Sequence, residues 1–210
     1  MIVLGVLIAL AAQQFATTLE MRSRVAAFRK TINAEIRENL WSYDARKRQD
    51  ACTDRRLDAL AMWLADAAPD EVVRLVDARP PMVFGLTNTV WDTRDAEVFG
   101  ALPADERQRY AAFYGGLLTN QNVRRLEVGV WAPLERYEWA APLTVEDRRQ
   151  IHQAIKAARR YDQFFSENID ESVTTARRLG IERFRQPDWV LPVDIKRIEE
   201  CPQIVVGQVG

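Results

Sequence analysis

Apolar side chains recur mostly at three- and four-residue intervals early in the chain. Phe15, Leu19, Val25, Phe28, Ile32, Ile36, Leu40 and Tyr43 trace one stripe of a helix. Ahead of that stripe, Met1 to Ala12 (MIVLGVLIALAA) carries no charge. No glycine or proline falls between Val6 and Ala68. Helix interiors disfavour those two residues by about 1 and 3 kcal/mol relative to alanine, so nothing invites a break. The pattern predicts one helix from the start of the chain to about residue 48. A second helix, over about residues 52 to 67, is expected to bury Leu57, Leu60, Ala61 and Leu64. Pro69 breaks it, and Pro80-Pro81 mark a loop, because adjacent prolines remove donors and push the preceding residue extended.

Further along, a short helix from about Thr87 to Phe99 is expected, with Gly100 placed for a left-handed C-terminal conformation. Pro103 suits a first helical turn, where Asp105 and Glu106 complement the helix dipole. Tyr110, Phe113 and Leu117, then Val123, Leu126, Val130 and Leu134, read as two buried runs offset across the polar patch Asn120-Gln121-Asn122, a candidate bend. Thr144 with Asp147 is a variant capping box. It opens a helix with the stripe Ile151, Ile155, Ala158, Phe165, Ile169, Val173 and Ala176, which Gly180 ends. The two long helices, roughly 103 to 137 and 145 to 179, are joined by so few residues that they must fold back antiparallel. The expected fold is all-α: an N-terminal transmembrane helix continuing into an antiparallel helical bundle, with an extended C-terminal tail. The divisions are 1–19 membrane anchor, 20–180 bundle and 181–210 tail, where Pro187, Pro192 and Pro202 forbid a long helix and Val190-Leu191 and Ile204-Val205-Val206 favour extended backbone.

A helix crossing a hydrocarbon core of about 30 Å needs about 20 mostly apolar residues. The run from Met1 to Ala12 reaches that length when Phe15 and Ala16 extend it and Thr17 to Leu19 sit at headgroup depth before Glu20, Arg22 and Arg24. Ala9-Leu10-Ala11 also has the small-x-small form of a signal-peptide cleavage site, but no basic region precedes the apolar run, so a retained anchor is the favoured reading. Gly5 and Ala9 supply a small-xxx-small face suited to close helix contact. The basic flank of Arg22, Arg24, Arg29 and Lys30 argues for a cytoplasmic head by the positive-inside rule. The cysteines argue the other way. Cys52 and Cys201 are the whole complement, in no CxxC or Cys-His spacing, and an exported chain pairs such thiols. Two separate buried thiols are the other reading; a Cys52–Cys201 bridge is expected.

Val3-Leu4-Gly5-Val6-Leu7-Ile8-Ala9-Leu10, followed by Gln13-Gln14 and a charged helix, resembles bacterial proteins of unknown function that carry one N-terminal membrane helix with a GxLIAL-type motif and a helical domain outside the cytoplasm. The resemblance covers about the first 60 residues and brings no activity with it. It implies an inner-membrane location with the bulk of the chain in the periplasm. In such proteins a basic segment usually precedes the apolar run, and one upstream of Met1 would outweigh the basic flank.

A formal net charge of -1 over 210 residues removes the electrostatic case for nucleic acid. Arg46-Lys47-Arg48 and Arg55-Arg56, interleaved with Asp44, Asp50, Asp54 and Asp58, read as a solvated helix face. His152 stands alone, without the partners a metal site needs, and Glu167, Asp170 and Glu171 lie among polar neighbours. No catalytic, cofactor or metal residues are assigned. Trp131, Tyr137 and Trp139, near Pro133, have the composition of a binding hot spot or of a core cap. The function these readings favour is a membrane-anchored, non-enzymatic accessory or structural protein whose partners are membrane lipid and another protein. An extracytoplasmic ligand-sensing bundle is the alternative; it requires Asn120, Gln121 and Asn122 to converge with an aromatic wall.

Overall fold

A computed structural model describes residues 2–68, 72–139 and 141–204 of the chain. Helix α1 runs from Ile2 to Lys47 and α2 from Asp50 to Asp66, with Arg48 and Gln49 between them. Gln49 stays in the right-handed conformation, and its carbonyl already accepts the N–H groups of Cys52 and Thr53 at 3.0 and 2.8 Å, so the join is a tight bend. The backbone from Gln13 to Trp41 is unbroken helix, as the absence of glycine and proline there requires.

The next elements are short. A two-residue strand β1 (Val72–Val73) pairs antiparallel with β2 (Ala141–Pro142). The single helix expected over Thr87 to Phe99 is instead two pieces, α3 (Thr89–Asp92) and α4 (Ala96–Gly100). The reason is Asp95: its carboxylate accepts from the N–H groups of Glu97 and Val98 at 2.8 and 3.1 Å, and a side chain capping its own backbone starts a helix and cannot lie inside one. Gly100 closes α4 without a left-handed turn; among the described residues the glycine with positive φ is Gly180, at 76°.

Helix α5 (Ala104–Glu135) and helix α6 (Val145–Arg178) are the long hairpin. Thr144 opens α6 with the capping box read from the sequence. Its hydroxyl accepts from the N–H of Asp147 at 3.2 Å, and its own N–H donates back to the Asp147 carboxylate at 3.1 Å. No bend interrupts α5 at Asn120. Its buried face runs through Tyr110, Phe113, Leu117, Asn120, Val123, Glu127, Trp131 and Leu134 as one stripe that admits two polar residues, and Leu126 falls outside it, half exposed. On α2 the same correction applies to Ala61, which is exposed beside the buried Leu57, Leu60 and Leu64.

The tail is not wholly extended, since it contains α7 (Pro192–Glu199). Pro192 stands at the first helical position, where its missing N–H costs nothing, and the Asp194 carboxylate accepts the Leu191 N–H at 3.1 Å. Ile198 of α7 and Val190 cover Trp41, Ala45 and Phe84. Val205-Val206 lie outside the described residues.

Cross-links set the direction of each helix. Arg29 meets Glu106, Asn33 meets Tyr110, Glu35 meets Tyr114, Tyr43 meets Asn120 and Arg46 meets Glu127, so α5 rises parallel to α1. Helix α6 descends, meeting α2 through Arg159–Asp58 and Ser166–Asp50 and α1 through Lys47–Asp170. Phe15 and Leu19, counted from sequence in the buried stripe, are exposed with the rest of residues 3–20; packing on the bundle begins at Met21 and Val25.

Candidate functional site

The bare N-terminal part of α1 is the first surface that asks for a partner. Residues 3–20 of α1 are exposed throughout, about 27 Å of helix at 1.5 Å per residue. This helix is long and apolar enough to cross a membrane. Two of its polar side chains are satisfied within the helix: the Thr17 and Thr18 hydroxyls donate to the carbonyls of Gln13 and Gln14, one turn back, at 3.0 and 2.8 Å. Gly5 and Ala9 lie on this segment, and a Cβ added at Gly5 would meet no atom of the chain within 4 Å. Where the segment enters the head, Arg24 binds Asp95 and Glu97 at 2.7 and 3.2 Å, and Arg29 is held bidentate by Glu106 at 2.7 and 2.6 Å. Two of the four cations of the basic flank, Arg24 and Arg29, are therefore paired with acids of the head.

The aromatic group near Pro133 divides. Trp131 and Tyr137 are 0 % and 1 % exposed and belong to the core with Leu57, Leu60 and Leu64, and Arg56 lies over the Trp131 ring at 5.0 Å. Trp139 is 81 % exposed, at the end of the bundle opposite the bare start of α1. Two of the three thus close the core, and one is available for contact. Trp41 packs edge-on against Phe84 at 4.9 Å, and Tyr43 is buried against Asn120, its hydroxyl pushed up to about 12 by burial.

Cys52 and Cys201 form a disulfide, with Cα atoms 5.5 Å apart. The bridge ties Cys201, two residues past the end of α7, to the first turn of α2. Beyond it, Ile204 is buried in the distal core and its carbonyl accepts the Val76 N–H at 3.0 Å.

Sequence patterning missed the largest polar feature. Arg46, read as part of a solvated face, is 1 % exposed. Its guanidinium donates to Asp50 of α2 at 2.7 Å, to Glu127 of α5 at 3.0 Å and to Asp162 of α6, and it lies over the Phe165 ring at 5.4 Å. One cation therefore joins four helices through three carboxylates. Burial pushes the Glu127 and Asp50 carboxyls up, and the neighbouring Asp162 adds to that, while Arg46 pulls both down without cancelling the effect. The signals in the sequence were Glu127, a carboxylate falling in phase with an apolar stripe, and Arg46 itself, which continues the stripe of Ile36, Leu40 and Tyr43 at a three-residue step; the charged residues around Arg46 masked that phase.

A second polar set fastens the 82–90 segment to α1. Asn39 exchanges hydrogen bonds with the Thr87 backbone at 2.7 and 2.8 Å, Gln49 does the same with Met82 at 2.8 and 2.9 Å, and Glu35 accepts from the Val90 N–H at 2.9 Å. These side chains stand in for the sheet partner that the irregular segment lacks. Asn120, Gln121 and Asn122 do not converge on a pocket: Asn120 donates to Tyr43, Gln121 to the Leu86 carbonyl, and Asn122 accepts from Arg125. Among the described residues no cluster of histidine, cysteine or carboxylate groups is arranged to hold a metal ion. No protein-family model matches this chain, and neither does any curated protein or solved structure.

Proposed function

We propose that this chain is a single-pass, non-enzymatic accessory or structural protein of the bacterial inner membrane, with its helical head in the periplasm and another membrane or periplasmic protein as its partner. The observation that carries the reading is the continuity of α1. One helix is bare over residues 3–20 and becomes a core element of the head from Val25 onward, without a linker. A head fixed at one height and angle above the bilayer suits a subunit docked in an assembly; a tethered enzyme searching for substrate gains from a flexible linker. The Cys52–Cys201 disulfide supports an oxidising compartment, and the GxLIAL-type resemblance agrees with it. Lipid meets the apolar residues of the anchor, and the small face at Gly5 and Ala9 allows a second helix to approach there.

The test is solubilisation of native membranes in mild detergent followed by size measurement and identification of what co-purifies. A complex containing a second protein is the expected result, and a clean monomer with nothing attached overturns the accessory reading. C-terminal reporter fusions decide the side of the membrane: activity in the periplasmic reporter is expected, and cytoplasmic activity refutes the topology.

A further inference from the structure

Residues 191–204 cross the head as a strap that is tied down by very little. Polar fastening to α1 ends just before it, where the Arg185 N–H donates to the Arg37 carbonyl at 3.1 Å. From Leu191 to Gln203, every hydrogen bond and ion pair among the described residues closes within the strap: the Leu191 N–H donates to Asp194, Lys196 pairs with Glu200, and the rest are turns of α7. The strap is held instead by apolar contact at two points. Ile198, with the half-buried Ile195, covers Trp41, Ala45 and Phe84. Ile204 belongs to the distal core with Leu57, Leu60 and Trp131, and its carbonyl accepts the Val76 N–H at 3.0 Å. Between the two points lies the covalent link from Cys201 to Cys52.

The place of that link matters. Cys201 is exposed and Cys52 half-buried, so a reagent reaches the bond while the head stays folded. Exposed disulfides are the labile and regulatory ones, whereas bonds that only brace a secreted fold resist reduction. The segment it ties down is also dispensable to the bundle, since no strap residue belongs to the core that α1, α5 and α6 share. Helix α7, in contrast, depends on being held: a helix of eight residues is not stable alone in water.

We propose that Cys52–Cys201 is a redox-operated clasp, opened in the folded chain by a dithiol protein, and that its opening lifts the strap and uncovers the apolar strip of Trp41, Ala45 and Phe84. The closed state rests on the oxidising compartment proposed above. One thiolate of the dithiol attacks the exposed Cys201 Sγ. The S–S bond breaks, its electron pair leaves on the Cys52 Sγ, which takes up a proton, and a mixed disulfide joins Cys201 to the reductant. The second thiol of the reductant gives up its proton and attacks its own partner sulfur in that bond, and Cys201 leaves as a thiolate that is protonated in turn. Two electrons and two protons pass to this chain, whose disulfide becomes two thiols, and the dithiol becomes a disulfide.

The experiment uses the full chain in detergent, oxidised and then incubated with a reduced dithiol protein of the thioredoxin type, without denaturant. Alkylation and intact mass are expected to show both cysteines freed while helical dichroism is kept. Hydrogen exchange of peptides covering 191–200 is expected to speed up about tenfold or more, with α1, α5 and α6 unchanged, and reoxidation by oxidised glutathione to restore protection. The double variant Cys52→Ala, Cys201→Ala is expected to exchange fast in α7 with or without reductant. A bond that yields only after denaturation overturns the clasp and leaves a permanent staple. Protection of α7 that survives reduction or the double substitution overturns it as well, as does loss of protection in α5 and α6. Rapid alkylation in intact cells tests the compartment separately: thiols free at all times refute the oxidising location, whereas the exchange results on purified protein still decide whether the bond holds the strap.

Discussion

Arg46 concentrates the electrostatic risk of this fold in one side chain. Removing one partner of a buried ion pair generally costs about 3–5 kcal/mol, because the remaining charge is left uncompensated. Arg46→Ala is expected to destabilise by that order, read from denaturant midpoints, whereas Arg46→Met combined with Glu127→Leu and Asp162→Leu should recover much of the loss by filling the same space without charge. The network also gives a pH dependence. For Glu127 and Asp50 the folded carboxyl is raised, so their contribution is complete below the ordinary carboxylate value and is lost as pH rises through the raised folded value. Stability should therefore decline as pH rises from the ordinary carboxylate value to the raised folded value and level off above it, and Glu127→Gln should flatten the decline in a series of melts. Asp77 and Asp147 act in the opposite sense. Arg79 and Thr144 respectively hold their carboxyls below the usual range, and that stability disappears as pH falls through their folded values. A melting temperature unchanged across both limbs would refute these assignments.

At the scale of elements, the ends of α6 are the most exposed to single substitutions. Thr144→Ala removes the acceptor for the Asp147 N–H and the donor to its carboxylate, and loss of an N-cap typically costs about 1 kcal/mol. Gly180→Ala forces a side chain into the left-handed region at φ 76°, which costs about 1–2 kcal/mol. Both should appear in chemical denaturation as shifted midpoints with unchanged slope. Gly115→Ala is the informative contrast. Its helix is regular and its surroundings within the chain are empty, so it should stabilise the detergent-solubilised chain by up to about 1 kcal/mol. Loss of stability there would show that a contact inside the chain calls for glycine.

For the molecule as a whole, the disulfide and the bundle are separable. Closing a loop of 149 residues by Cys52–Cys201 contributes about 5 kcal/mol in the chain-entropy model, yet the stripes of α1, α5 and α6 do not run through it. Cys201→Ser should free residues beyond α7 to proteolysis while far-ultraviolet dichroism stays helical. Collapse of the helical signal would place the bridge in the folding core. Intact mass with and without reductant checks the bond itself, expected to differ by two hydrogens.

The sequence by itself determined whatever depends on periodicity and on local backbone chemistry. It set the unbroken α1, where no glycine or proline could stop it. It set the hairpin of α5 and α6, the Thr144 cap, the Gly180 stop and the pairing of two lone cysteines. Each follows from residues within a turn or two of one another, or from a count. Tertiary structure decided what depends on which helix faces which. Only packing shows that Arg46 is buried, because a charged residue among charged neighbours has the same local pattern on a surface as at the centre of four helices. Only packing puts Leu126 outside, since the buried arc of α5 is set by where α1 and α6 lie, and that choice admits Asn120 and Glu127 to the interior in its place. Asp95 could cap a helix or sit within one by propensity alone; the salt bridge to Arg24 and the packing of Phe99 on Phe28 favour the cap. Pro192 reads as a breaker until the chain around it turns into α7 and makes it a first residue. The division falls where local energies of about 1 kcal/mol stop discriminating and burial, worth about 1.5–3 kcal/mol per large side chain, takes over.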